Sequence, residues 1–441
     1  LYNIRWQGSG KVSFGCSSLS EVKEACAKAD CRIEFSEDLS VLADPIHIGG
    51  HPVNNRFCVH PMEGCDAAAD GSPSELTEAR YMNFARGGSG LIWFEAVAVV
   101  PEGKAGRNQL IINENNKAAF ARLTEKIRNE ALQANGFVPV IIMQITHSGR
   151  FSKPDGTPRP IIAYHHPQLD AVHNIPEDLT PVSDEYLASL PEKFTETAML
   201  AQSAGFDGAD VKCCHRYLLS ELLSAIEREG KYGGSFENRS RLFLDCVDAV
   251  RAAVDSGFIV GSRLNGFDAL PGGFACDKND CMTPDLTETL RLVRRLIQRG
   301  VDILNVTTGS PYYNPYVNRP NDVDKKEPPL VGVSRMFSVI GEIQKAAGAV
   351  PVVGTGYSYL REYIPFAAAG EILAGRCSMA GLGRMSFAYP ELPGEILRNA
   401  VPNANKLCTT CGQCAALLRQ GQPARCVVRE NRLKKERIDR K

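Results

Sequence analysis

The sequence predicts an α/β protein built as a (β/α)8 TIM barrel, and three observations predict it. Short runs of apolar and β-branched residues alternate with longer amphipathic stretches from about residue 55 to residue 400. The apolar runs number eight, and several of the segments that follow them are long and rich in Gly, Pro and polar residues. Parallel strands need helical crossovers. Eight such strands close a barrel whose chemistry lies on the loops beyond their C-terminal ends.

The predicted strands are 57–62, 90–95, 138–145, 207–213, 259–264, 303–307, 350–353 and 377–381. Helices are expected at 76–86, 116–133, 184–204, 238–255, 285–299, 333–347 and 360–369. The long loops are 147–181, 224–237, 265–284 and 309–329. Residues 1–40 form an N-terminal extension with a helix-like piece at 19–28 and no evident chemistry, 41–400 the barrel, and 401–441 a separate cysteine-bearing segment with a basic end.

That segment holds Cys408, Cys411, Cys414 and Cys426, a C-x2-C-x2-C-x11-C array. Three thiolates in one tight loop and a fourth returning from further on suit the four irons of a 4Fe–4S cubane, each needing its own sulfur. Zinc is the alternative. Its usual form separates two C-x2-C knuckles by a longer spacer, without a third cysteine beside the first pair. Cys213 and Cys214 read as inert buried thiols rather than reactive ones.

The chain of 441 residues is 44% hydrophobic and 23% charged, enough for a large core. A formal net charge of -1 argues against nucleic-acid or membrane-surface binding by bulk electrostatics. Only the stretch from Arg429 to Lys441 is clearly basic, with Lys434, Lys435, Arg437, Arg440 and Lys441; the usual reading is a solvated end, and the alternative is a docking site for an acidic electron carrier. Fifteen cysteines scattered without a secretory leader point to a reducing cytoplasm, and no apolar run is long enough to span a bilayer.

Two glycine turns follow the last two strands, Gly354-Thr355-Gly356 and Gly381-Leu382-Gly383-Arg384. Backbone N–H groups and one arginine there suit a phosphate. Gln144 ends the third strand and Arg263 lies in the fifth; an amide and a cation suit the polar edge and negative charge of a reduced isoalloxazine, whereas Arg263 alone would read as half of a barrel ion pair. After the fourth strand, Lys212, His215 and Tyr217 put a cation, an imidazole and a phenol near one mouth, a set for proton transfer.

These segments resemble the old yellow enzyme superfamily, in the iron–sulfur branch that includes 2,4-dienoyl-CoA reductase and trimethylamine dehydrogenase. The matching strings are Asn55-Arg56-Phe57 with His60-Pro61-Met62, residues 87–92, 144–150, 204–208, Tyr217-Leu218-Leu219, Tyr232-Gly233-Gly234-Ser235 with Glu237-Asn238-Arg239, 381–384, and the four cysteines. The resemblance implies FMN in a TIM barrel, with Met62, Gln144 and Arg263 near the ring, Gly356, Gly383 and Arg384 at the phosphate, and a cluster relaying single electrons. It also implies that Tyr217 is an active-site tyrosine, with His215 beside it.

Departures from that pattern shape the expectation. Lys212 stands where many ene-reductases carry histidine and Arg216 where they carry glycine, which predicts extra positive charge and an anionic substrate. Glu63 falls where amine dehydrogenases attach flavin through cysteine, so FMN is expected to be non-covalent, with Cys65 two residues on. No Gly-x-Gly-x-x-Gly nucleotide fingerprint follows the cysteines, so a separate protein is expected to supply electrons. The expected activity is reduction of an activated C=C bond. Its rivals are an amine or N-methyl dehydrogenase, with Tyr312, Tyr313 and Tyr316 as an aromatic cage, and an electron-transfer subunit of a larger complex.

Overall fold

The computed structural model describes residues 15–324 and 326–439. The start of the N-terminal extension and the basic residues Arg440 and Lys441 lie outside them. Among the described residues no helix is long and apolar enough to cross a membrane.

A two-stranded antiparallel hairpin, β1 (Ile46–Ile48) and β2 (His51–Val53), precedes the barrel. The barrel strands are β3 (Phe57–Val59), β4 (Leu91–Ala98), β5 (Val140–Thr146), β6 (Gly208–Val211), β7 (Ile259–Asn265), β8 (Ile303–Thr307), β9 (Val352–Gly354) and β10 (Met379–Leu382). All pairs are parallel, and β10 pairs with β3 to close the cylinder. Every one of these strand residues is buried, as expected where helices cover one face and side chains fill the other. The hairpin seals the floor: Ile48 and Val53 join Cys58, Leu91, Trp93, Ile142, Ile259, Ile303 and Met379 in one apolar cluster.

Helices Glu75–Arg86, Lys117–Asn135, Asp184–Ser203, Phe236–Ala253, Thr287–Gln298, Pro329–Ala347 and Ile364–Leu373 occupy the crossovers. Ser183 and Ser235 cap the third and fourth of these by accepting the N–H of Tyr186 and Asn238. Boundaries differ from the sequence expectation where proline intervenes. The first barrel strand stops at Val59 because Pro61 has no N–H to continue the ladder. The last helix begins at Ile364, since Pro365 fits only a first turn, and a 3-10 segment, Tyr357–Tyr363, precedes it.

A bulge between Phe94 and Ala96 takes Glu95 out of the ladder. Its carboxylate accepts the Gly64 N–H at 2.6 Å and the Arg80 guanidinium at 2.6 Å, while Arg80 also grips Asp66. The loop after β3 is thereby clamped. Helix Leu19–Lys28 matches the expected piece, and the following segment fastens to the barrel wall through Arg32 N–H to Ser334, Glu34 N–H to Glu371 and Ser36 N–H to the Phe366 carbonyl. The cysteine segment lies against the opposite, C-terminal side, where Ala424 N–H donates to the Gly64 carbonyl at 2.7 Å.

Candidate active site

The loops beyond the C-terminal ends of the strands surround a cavity of about 1200 Å³. Met62, Gln144, Lys212, His215, Tyr217, Arg263, Gly356, Gly383 and Arg384 all line it. Gly354 does not; it ends β9 just beneath.

Asp210 on β6 organises the floor. Its Oδ2 accepts from Gln144 Nε2 and from Trp93 Nε1, each at 2.7 Å, and its Oδ1 from the Arg263 backbone N–H at 2.6 Å. Burial raises its carboxyl above the usual range, and these three donors oppose that rise. With the Gln144 amide donating to Asp210, its carbonyl is left for a ligand N–H. Sequence reading missed Asp210, although strand alternation sets it two residues before Lys212 on the same face.

Arg263 makes no ion pair among the described residues, which excludes the structural reading of it. One guanidinium nitrogen reaches the Pro61 carbonyl at 3.4 Å, and its Nε has no partner. His60 is pinned between Asn305 and Thr355, at 3.1 and 3.0 Å. Since Thr355 Oγ1 donates to the Val306 carbonyl, it accepts from His60 Nε2, which leaves Nδ1 to accept from Asn305. Burial and Arg263 keep this imidazole neutral. A side chain at Gly381 would collide with it, its Cβ falling 2.1 Å from His60 Nε2. Gly356, in the last glycine turn but one, lines the cavity with φ +112°, a conformation suited to glycine.

His215 and Arg216 both take left-handed backbone, φ +65° and +62°, so the chain doubles back and returns Tyr217 to the mouth. The Lys212 ammonium lies 3.8 Å from the centre of the Tyr217 ring, with no carboxylate partner among the described residues. Burial lowers its pKa, while Cys214 and Glu63 pull the other way. The His215 Nε2 is buried without a partner, and burial, Arg263 and Lys212 hold the ring neutral. The Tyr217 hydroxyl meets that of Tyr312 at 2.9 Å, and Tyr312 stacks on Phe151 at 3.9 Å.

Arg216 corrects one expectation. It is fully buried on the far side, bonded to Asp268 at 2.9 Å and to the Tyr164 hydroxyl at 2.9 Å, so its charge is neutralised and adds nothing to the cavity. Neither Tyr313 nor Tyr316 lines the cavity, so Tyr312 alone remains of the expected cage. Arg319 and Arg419, which sequence reading passed over, do line it. Burial above all, and then the neighbouring Arg384 and Arg419, lower the Arg319 pKa to about 10. Glu63 and Asp155 are the acids of the lining, and Asp155 pairs with Arg159.

A second, small pocket is lined by Cys408, Cys411, Cys414 and Cys426, and shares Arg384, Phe387 and Cys414 with the large one. Backbone N–H groups of Thr410 and Arg429 point at the Cys408 and Cys426 sulfurs, each at 3.4 Å. Among the described residues no three His, Cys, Asp or Glu side chains gather as tightly as one metal ion requires. Four thiols lining one pocket are the donor set that iron–sulfur groups and zinc have in common.

Residues 41–305 match the family model for the NADH:flavin oxidoreductase / NADH oxidase family. The chain belongs to that family. It is therefore a flavin oxidoreductase, and FMN fits a cavity with an orphaned Arg263 Nε, an oriented Gln144 carbonyl and a glycine turn beside Arg384. An NADH oxidase of Thermoanaerobacter brockii is 29% identical over 389 residues, 86% of this chain and 54% of that protein. A cinnamate reductase of Clostridium sporogenes is 27% identical over 412 residues, 89% of this chain and 58% of that protein. The chain thus spans about half the length of these curated relatives. A solved 2-naphthoyl-CoA reductase shares the fold, with TM-score 0.72 at 19% identity over 88% of this chain and 57% of its own.

Proposed function

We propose that this flavin oxidoreductase is an ene-reductase of the iron–sulfur branch, reducing an activated C=C bond beside an electron-withdrawing, anionic group. The observation that carries the reading is the buried Lys212 ammonium, without an ion-paired acid among the described residues and 3.8 Å from the ring of Tyr217 in one cavity. Bound FMN would supply hydride there, and a 4Fe–4S cluster on Cys408, Cys411, Cys414 and Cys426 would supply electrons singly.

Lys212 holds the substrate oxygen on which negative charge develops, and in a buried site a preorganised cation stabilises that charge strongly. Neutral His215 offers its free Nε2 to the same oxygen. The Tyr217 hydroxyl gives its proton to the α-carbon, and Tyr312 orients that hydroxyl from behind. Arg263 faces the negative charge of the reduced ring. Exposed Cys411 and the exposed Lys434 and Lys435 would give a separate acidic electron donor a place to dock. Lys212 and Arg263 disfavour the reverse reaction on a cationic amine.

Tyr217→Phe is the test. With iron, sulfide and FMN contents unchanged, it is expected to lower reduction of cinnamate, used as a probe enoate, by about 10²-fold or more. Intact enoate turnover in that variant would take proton donation away from Tyr217, and absence of enoate turnover in the wild type would leave the chain as an electron-passing subunit. Flavin reduction by amines in place of enoate turnover would favour the dehydrogenase.

A further inference from the structure

We propose that Arg319, with Arg419 as its neighbour, is the electrostatic element that sets the reduction potential of the cofactor on the tail cysteines. The inference rests on the iron–sulfur reading above. Three guanidinium groups, Arg319, Arg384 and Arg419, line the large cavity, which shares Arg384 and Cys414 with the cysteine pocket. None has a carboxylate partner among the described residues. Arg319 and Arg419 both donate to the Pro311 carbonyl, at 3.5 and 3.2 Å, and Arg384 to the Pro320 carbonyl at 3.2 Å.

Clustered cations without acids call for anions. Arg384, beside the Gly383 turn, serves the phosphate, and Arg263 lies across the cavity, which leaves Arg319 and Arg419 uncompensated. Arg319 lies within electrostatic reach of the Cys414 thiol on one side and of Tyr312 on the other. A cluster held by four thiolates is net negative and gains one more charge on reduction, so a fixed cation beside it stabilises the reduced form most. Arg319 thereby acts on the cluster and, through Tyr312, on the wall that carries Tyr217. It is a positioning charge rather than a catalytic residue.

The test is an anaerobic redox titration followed by electron paramagnetic resonance, on the protein with its cofactors and on Arg319→Met and Arg319→Lys. The Met variant is expected to shift the reduction equilibrium at least about tenfold toward the oxidised form, about 59 mV for one electron, and Lys to restore most of it. Arg419→Met, more exposed, should shift it in the same direction by less and serves if Arg319→Met does not fold. An unchanged potential together with weaker FMN binding would make Arg319 a phosphate ligand and overturn the inference alone. A wild-type protein with zinc or no iron would overturn it together with the reading beneath it.

Discussion

Asp210 decides which end of Gln144 faces the cavity, because one carboxylate accepts from Gln144, Trp93 and the Arg263 backbone. In Asp210→Asn at least one of those donors would face an N–H, so we expect a loss of about 1–3 kcal/mol in stability and weaker FMN retention, read by thermal melts and flavin content. Glu63 supplies a pH dependence. Burial raises its carboxyl to about 7 from an ordinary 4.5. Its contribution is full below the ordinary value and is lost as pH rises through about 7, so the melting temperature of the wild type should fall relative to Glu63→Gln between pH 5 and pH 8; parallel melting curves would exclude it. Lys212 and Tyr217 were legible because strand alternation and one turn fix them. Arg216 was not, since only the two consecutive left-handed residues send it away from the mouth. Tyr312 and Arg319 lie on a long loop, where no periodicity tells which side chains turn inward.

At the scale of elements, the barrel strands were legible because burial on both sides leaves uninterrupted apolar runs, and the helices because their exposed faces do not. The floor hairpin was missed for the converse reason. Its strands have three residues each, one of them contains Pro52, and only Ile48 and Val53 are fully buried, with Ile46 packed against the same cluster in part. So short a pattern has no period. Its packing is nonetheless complete, with both side chains at 0% exposure, so Ile48→Ala should cost about 2–5 kcal/mol through lost burial and an unfilled cavity. The variant should retain FMN stoichiometry below its lowered melting temperature, because the hairpin closes the end of the cylinder away from the cavity. Loss of FMN at temperatures where circular dichroism is still native would show that floor and mouth are coupled.

For the whole molecule the question is whether barrel and cysteine segment are one device or two. The groups suited to FMN, Gln144, Arg263, Gly356 and Gly383, all belong to the barrel, whose closure depends on strand pairing alone. The segment walls one side of the cavity with Cys414, Ala415, Leu418, Arg419 and Ala424, and is fastened by Ala424 N–H to Gly64 and Cys408 N–H to Met385. Gly64 is itself held from within by Glu95 and belongs to the loop that carries Met62. The barrel should therefore bind flavin without the proposed cluster, whereas such a cluster would need all four thiolates of the segment. Cys408→Ser, at the buried corner, tests this asymmetry. Iron and sulfide should drop to background while FMN remains bound, because a hydroxyl replaces an anionic sulfur ligand and the barrel keeps every group facing the flavin. Such a protein should still pass electrons between reduced flavin and an enoate in a single turnover, and fail only in reloading from a one-electron donor. Loss of FMN together with the iron would mean that the segment forms part of the flavin's own wall, and that the two pockets fold as a unit.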